Sequence, residues 1–338
     1  MRRFVGAAHT GWRRLMKLLT GFLLLPFLSL SAAAQSWTPK SPPPDPIGAG
    51  ASAATAGGVV YLLRGGGTAH FYSYTPATDV WNPRANLPGV ADAGARLAAE
   101  GGFLYAAQGG NLGGFFRYDV AANSWSALTA TPFRVQEGSG LASSGGSLFL
   151  LEGAGALTFA RYDPASGVWT SRTPIPAGAL PGTCLVTLSD GRLLAIPGGM
   201  SGTFLYNPSL DTWTPGPAAP SPSGPGSILA THSDGRLFFL SGGTTDMFEA
   251  PPDASTWTLL PVDAPGLPST TALGIVPGEI FVMTPSTFAS LPAPVDDCDC
   301  DHGSDFGGCG AGRGPASLAP VVAGLLVLFY ARRRSVSS

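Results

Sequence analysis

Six tryptophans set the frame of this chain: Trp37, Trp81, Trp125, Trp169, Trp213 and Trp257 follow one another at a constant interval of 44 residues. A glycine column keeps the same step at Gly50, Gly94, Gly138, Gly182 and Gly226. Tyr74, Tyr118, Tyr162 and Tyr206 stand seven residues before their tryptophans, and Ala250 takes that place in the last copy. Small pairs precede the tyrosines: Gly65-Gly66, Gly109-Gly110, Gly153-Ala154, Gly198-Gly199 and Gly242-Gly243. Columns in register at one period mark a repeat architecture, in which each unit buries its apolar face only against its neighbours.

Each unit reads as four strands. An apolar strand a, such as Leu97-Ala98-Ala99 or Leu185-Val186-Thr187, is followed by a hairpin turn. The turn is explicit in Ser189-Asp190-Gly191 and Ser233-Asp234-Gly235, where Asp-Gly supplies the positive φ of a tight turn. Strand b is apolar, as in Leu237-Phe238-Phe239-Leu240, and the small pair ends it. Strand c carries an aromatic pair two apart, such as Phe116 and Tyr118, hence on one face. A turn such as Asp163-Pro164 or Asn207-Pro208 leads to strand d and its tryptophan.

Trp37 lies in a strand d without its own a, b and c. After Trp257 come three strands without a d: Ala272 to Val276, Glu279 to Met283 and Phe288 to Leu291. Joining the two gives six blades, with the N-terminal strand closing the ring. Closure removes the exposed edges of an open sheet. The last blade lacks the glycine pair and the tyrosine.

The glycine pair, the tyrosine and the tryptophan, as in Tyr162-Asp163-Pro164-Ala165-Ser166-Gly167-Val168-Trp169, resemble the kelch repeat over about Ser36 to Val295. The resemblance implies an all-β, six-bladed kelch-type β-propeller with four antiparallel strands per blade. Neither Ser-Asp-Gly turn is followed by the tryptophan that a sialidase-type Asp box requires.

The ends carry addresses. Arg2, Arg3, Arg13, Arg14 and Lys17 precede an apolar run from Leu18 to Leu30, and Ala32-Ala33-Ala34 follows. Basic start, short apolar core and small residues predict a signal peptide over 1–34, cleaved after Ala34. The propeller then occupies 35–295. An acidic Gly/Cys linker follows at 296–315, then an apolar transmembrane helix at 316–331 and a basic cytoplasmic tail at 332–338. Gly307-Gly308-Cys309-Gly310, the apolar segment and Arg332-Arg333-Arg334 together resemble the C-terminal sorting signals named for myxobacteria. That resemblance implies surface display and makes Cys309 the processing residue; a plain membrane anchor is the alternative.

Charged residues are 12% of the chain, about half the ordinary figure. Gln35 to Asp296 holds 10 Lys+Arg against 17 Asp+Glu, a net −7. That segment offers no basic stripe, which argues against a nucleic-acid partner.

Chemistry-bearing residues are sparse. The Trp and Tyr columns, with Phe116, Phe204 and Phe248, read as core. Cys184, in an inner strand, reads as a small buried hydrophobe. His70 follows the b–c glycines and His232 sits at an a–b hairpin, so they belong to opposite faces and cannot share a metal. Some kelch propellers are copper oxidases with Tyr, Cys and His ligands; that pattern is missing here. Cys298-Asp299-Cys300-Asp301-His302 reads as an acidic tether, with a disulfide from Cys309 to Cys298 or Cys300, or metal binding, left open. No catalytic set and no cofactor is implied.

In propellers the d–a and b–c loops share one face around the channel mouth. Their polar residues here, Arg64, Gln108, Asn111, Arg134, Glu137 and Glu152, together with Arg96 at the start of an inner strand, form the candidate binding face. The expectation is a surface-displayed, non-catalytic module for a protein or glycan, held to the membrane by its C-terminal helix. A propeller enzyme of the glycan hydrolase or oxidase class and a structural coat component remain the alternatives, since fold alone does not choose.

Overall fold

Short runs of β-branched, aromatic and alanine residues, cut every five or so positions by glycine turns, leave the chain no room for long elements. The computed structural model describes residues 36–262, 264, 268 and 271–293. Strand β1 (Thr38–Pro39) comes first. Blade 1 holds β2 (Ser52–Ala56), β3 (Val59–Leu63), β4 (Phe71–Thr75) and β5 (Val80–Pro83). Blade 2 holds β6 (Arg96–Glu100), β7 (Phe103–Ala107), β8 (Phe115–Asp119) and β9 (Ser124–Ala127). Blade 3 holds β10 (Gly140–Ser144), β11 (Ser147–Leu151), β12 (Phe159–Asp163) and β13 (Val168–Ser171). Blade 4 holds β14 (Cys184–Thr187), β15 (Leu193–Ile196), β16 (Thr203–Asn207) and β17 (Thr212–Gly216). Blade 5 holds β18 (Ile228–Thr231), β19 (Leu237–Leu240), β20 (Met247–Ala250) and β21 (Thr258–Leu259). Blade 6 holds β22 (Ala272–Val276), β23 (Glu279–Met283) and β24 (Phe288–Pro292).

Every blade is a four-stranded antiparallel sheet in chain order, except the sixth, whose order is β1-β24-β23-β22. The N-terminal strand therefore supplies the outer strand of the last blade, as the strand count predicts. Thr38 pairs with Ser290 and Pro39 with Ala289, and the Lys40 amide donates to the Phe288 carbonyl at 3.0 Å. The Lys40 ammonium meets Glu279 at 3.0 Å. The chain folds as a six-bladed β-propeller. The predicted signal peptide, the cysteine-bearing linker and the C-terminal apolar segment lie outside the described residues, and with them Ala34 and Cys309.

The core sits between blades. One cluster joins Tyr61, Leu63 and Phe71 of blade 1 to Leu97, Leu104 and Tyr118 of blade 2. The tyrosine column is fully enclosed, with Tyr74, Tyr118 and Tyr206 at 0% exposure. The tryptophans, read as core, are all six half-buried and each packs against one of the interblade clusters. They ride on the outermost strands, and in four of them the N–H finds a backbone acceptor. Trp81, Trp125, Trp169 and Trp213 donate to the carbonyls of Ser41, Ala85, Thr129 and Thr173, each on the preceding blade or the closing segment.

A phenylalanine column that the sequence reading passes over completes four of the six seams. Phe71, Phe115 and Phe159 stand three residues before the tyrosines, again 44 apart. Each packs on the tyrosine and tryptophan of the next blade, Phe115 on Tyr162 and Trp169 with both centroids at 5.0 Å. Phe288 does the same from blade 6 to Tyr74 and Trp81. Such ring pairs are worth about 0.5–1.5 kcal/mol beyond the area they bury.

Candidate functional site: the loop face and the channel mouth

The b–c loops begin where strand b runs out at its small pair. Gly109 and Gly110 have φ of 72° and 62°, a left-handed pair that a side chain would strain. The Gly110 amide donates to Ala93 of the loop entering its own blade, at 2.8 Å. The next amide, Asn111, donates to Val135 of the loop entering blade 3, at 2.9 Å. The same stitch recurs as Gly66 to Ala49 and Gly67 to Ala91, and as Ala154 to Glu137 and Gly155 to Ala179. The d–a and b–c loops are thereby tied into one face, blade to blade, by backbone hydrogen bonds.

On that face Arg64, Gln108 and Glu152 occupy one column, the residue after strand b in blades 1, 2 and 3. Their carbonyls accept the amides of Gly48, Asp92 and Gln136. All three side chains are half-buried, and the Arg64 Nε is enclosed without a hydrogen-bond partner. In blades 4 and 5 the residue after strand b is Pro197 and Ser241, both buried. Asn111, in a left-handed conformation at φ 59°, and Arg134 are exposed neighbours: the Arg134 Nη1 donates to the Asn111 carbonyl at 2.9 Å. Of the candidate residues, only Arg96 and Glu137 line the central channel.

The channel mouth is an open cavity of about 480 Å³ lined by the inner strands of all six blades. Its wall is mostly alanine, glycine, leucine and hydroxyl residues, with Arg96 and Glu137 its only charged members. Most hydroxyls of the wall are engaged. Thr187 donates to the Ser143 carbonyl at 2.5 Å and Thr231 to the Thr187 carbonyl at 2.8 Å, while Ser52 accepts the Leu97 amide at 3.0 Å. All three link successive inner strands; the two threonine bonds follow the 44-residue step, another column available in the sequence and missed there.

Arg96 is half-buried, and burial pushes its pKa down. Its Nε donates to the Ser139 carbonyl of the next blade at 2.9 Å and its Nη1 to the Ala95 carbonyl at 3.1 Å. Cys184 also lines the cavity as a free thiol. Burial pushes its pKa up to about 11, and its Sγ lies 3.8 Å from the Ser223 hydroxyl. At neutral pH it is a neutral thiol with little nucleophilic character.

The two propeller histidines fall at opposite strand ends, as the loop assignment requires. His70 is exposed beside the b–c glycines, its Nδ1 2.8 Å from Asp45, which also accepts the Tyr72 hydroxyl at 2.6 Å. His232 is buried at the β18–β19 hairpin, 2.9 Å from Asp234, and its Nε2 accepts the Gly278 amide of blade 6 at 3.3 Å. Among the described residues no group of three or more His, Cys, Asp or Glu is placed to hold a metal ion.

No protein-family model matches the chain, and no curated protein does. Among solved structures it is similar to one described as that of YjhT, with a TM-score of 0.58 and 15% identity, over 77% of this chain and 98% of that one. At that identity the likeness speaks for the propeller fold and nothing further.

Proposed function

We propose that this chain is a surface-displayed, non-catalytic propeller that binds a protein or glycan on its loop face. The observation that carries this reading is the uneven charge of that face. Arg64, Arg96, Gln108, Asn111, Arg134, Glu137 and Glu152 all belong to blades 1 to 3 or the loops entering them, while the matching positions in blades 4 and 5 carry no charge. A sector of charged and amide groups on a backbone-stitched platform offers directional contacts at little entropic cost. The resemblance to kelch repeats agrees with a role in recognition, and the leader and tail read from the sequence agree with export and anchoring.

The test is capture by the exported protein on a glycan array and in a cross-linked pull-down from the cell envelope. Wild type is expected to retain a specific partner. The R134A/E137A pair, both exposed, is expected to weaken capture about tenfold, the loss of roughly 1.4 kcal/mol. Capture that is indifferent to these substitutions discards the face. Protease shaving of intact cells tests the location: release of propeller peptides supports display, and full protection refutes it.

A further inference from the structure

We propose that the channel mouth is a binding site for a small organic monocarboxylate, with the Arg96 guanidinium as its anion-binding group. The proposal rests on the reading that the loop face receives a ligand, and it names the chemistry at the centre of that face.

The position of Arg96 recurs once per blade as Ser52, Arg96, Gly140, Cys184, Ile228 and Ala272. One guanidinium therefore enters a ring of small and apolar neighbours. It carries five N–H groups. The Nε and one Nη1 hydrogen are held by the Ser139 and Ala95 carbonyls. Among the described residues the Nη2 group and the remaining Nη1 hydrogen have no protein acceptor, and no carboxylate forms an ion pair with Arg96. The wall hydroxyls described above already donate to, or accept from, backbone. A partly buried cation without a contacting carboxylate is costly; Glu137 of the same wall offsets part of that cost from beyond ion-pair distance, and two backbone bonds fix the orientation of the guanidinium. The result is a preorganised, unsatisfied donor edge at a cavity of about 480 Å³, within the range of small-molecule pockets.

The chemistry of the edge selects the anion. Two parallel N–H groups match the two oxygens of a carboxylate. Glu137, the other charge in the wall, opposes a second negative charge and so disfavours phosphate dianions. Ala53, Leu97, Ala98, Leu141 and Ile228 in the same wall suit an apolar body behind the carboxylate.

Fluorine NMR of trifluoroacetate with the full chain tests this, with trifluoroacetamide as the neutral analogue and inorganic phosphate as competitor. Trifluoroacetate is expected to broaden saturably and to be released by acetate. Trifluoroacetamide is expected to stay sharp, and phosphate to compete weakly. R96M should abolish the broadening, and R96K should weaken it by losing the fork while keeping the charge. E137Q, at an exposed position that poses little risk to folding, should tighten binding about twofold by removing a repelling charge. A trifluoroacetate line that stays sharp with wild type overturns the proposal. So does equal broadening with folded R96M, or an E137Q affinity no higher than wild type. Failure of partner capture with trifluoroacetate binding intact would refute the loop-face function and leave the channel site standing; the converse would do the reverse.

Discussion

The seam between blades 3 and 4 and the seam between blades 4 and 5 use the same positions and different chemistry. At the first, Phe159 packs edge-on against Tyr206 at 4.9 Å and against Trp213 at 5.1 Å. The Tyr206 hydroxyl donates to Asp211 at 2.6 Å, the same carboxylate accepts the Thr173 amide at 3.0 Å, and the Trp213 indole donates to the Thr173 carbonyl at 2.9 Å. At the second, Thr203 stands where the phenylalanine would be, Ala250 where the tyrosine would be and Ser255 where the aspartate would be. The Thr203 hydroxyl turns to the Pro217 carbonyl at 2.7 Å, and the Trp257 Nε1 is buried without a hydrogen-bond partner. Leu194, Leu205, Leu229 and Leu237 fill the space, and Trp257 packs on Phe239 of its own blade.

The difference teaches that the aromatic step is a unit. Phenylalanine and tyrosine come from different blades and touch only across the seam, so losing one strands the other; here both are gone together. The next seam is similarly altered, with Met247 at the phenylalanine position and a buried, unpartnered Trp37 indole. There the buried His232 and the Gly278 amide join blades 5 and 6 through their hairpins. The polar sector of the loop face stands over blades 1 to 3, whose seams keep the full aromatic step.

The largest break in this pattern should come from the closing segment. Removing Ser36–Ser41 deletes Trp37, the pairing of β1 and the Ser41 contacts to Asp79 on blade 1. The expected cost is about 3–5 kcal/mol, comparable to excising a packed aromatic. Urea unfolding measures it, and an unchanged midpoint would mean the ring does not depend on its latch. A smaller effect sharpens the contrast between seams. T203F and A250Y alone should each destabilise by roughly 1–3 kcal/mol through overpacking. Combined, they should recover about 1 kcal/mol of favourable coupling as the ring pair reforms. Strict additivity in that double-mutant cycle would show that the two positions do not act as a unit.

The smallest effect is electrostatic. Burial by itself would raise the Asp211 pKa, but the Tyr206 hydroxyl and the Thr173 amide outweigh it and hold the carboxyl below its usual range. The folded pKa is depressed, so this stabilisation is complete above the unfolded value of about 3.9 and is lost as pH falls through the folded value. Y206F should therefore cost about 1 kcal/mol at neutral pH, with the gap to wild type narrowing below about pH 4. Thermal melts across that range check it; a gap independent of pH would assign the loss to packing alone.

Much of the fold is legible in the chain because a repeat writes its packing as a period. The 44-residue step fixes the strand order, and the orphan strand d at Trp37 fixes the blade count and the closure. The phenylalanine column was equally readable. So was the Asp79, Asn123 and Asp211 column, whose members sit in left-handed turns and accept the tyrosine hydroxyls. The candidate site was legible only as a set of loops. Sequence spacing assigns Arg64, Gln108 and Glu152 to one face, but it does not say that their carbonyls are used in stitching the loops.

By itself the sequence determined which segments must be strands and how six blades close into a ring, because local turn chemistry and a fixed period leave one solution. Only the tertiary structure decided that Arg96 and Glu137 share a cavity while Arg64 and Glu152 do not. It also decided which donors of Arg96 are already taken. Those facts depend on how inner strands of different blades approach around the axis, a distance no single repeat encodes.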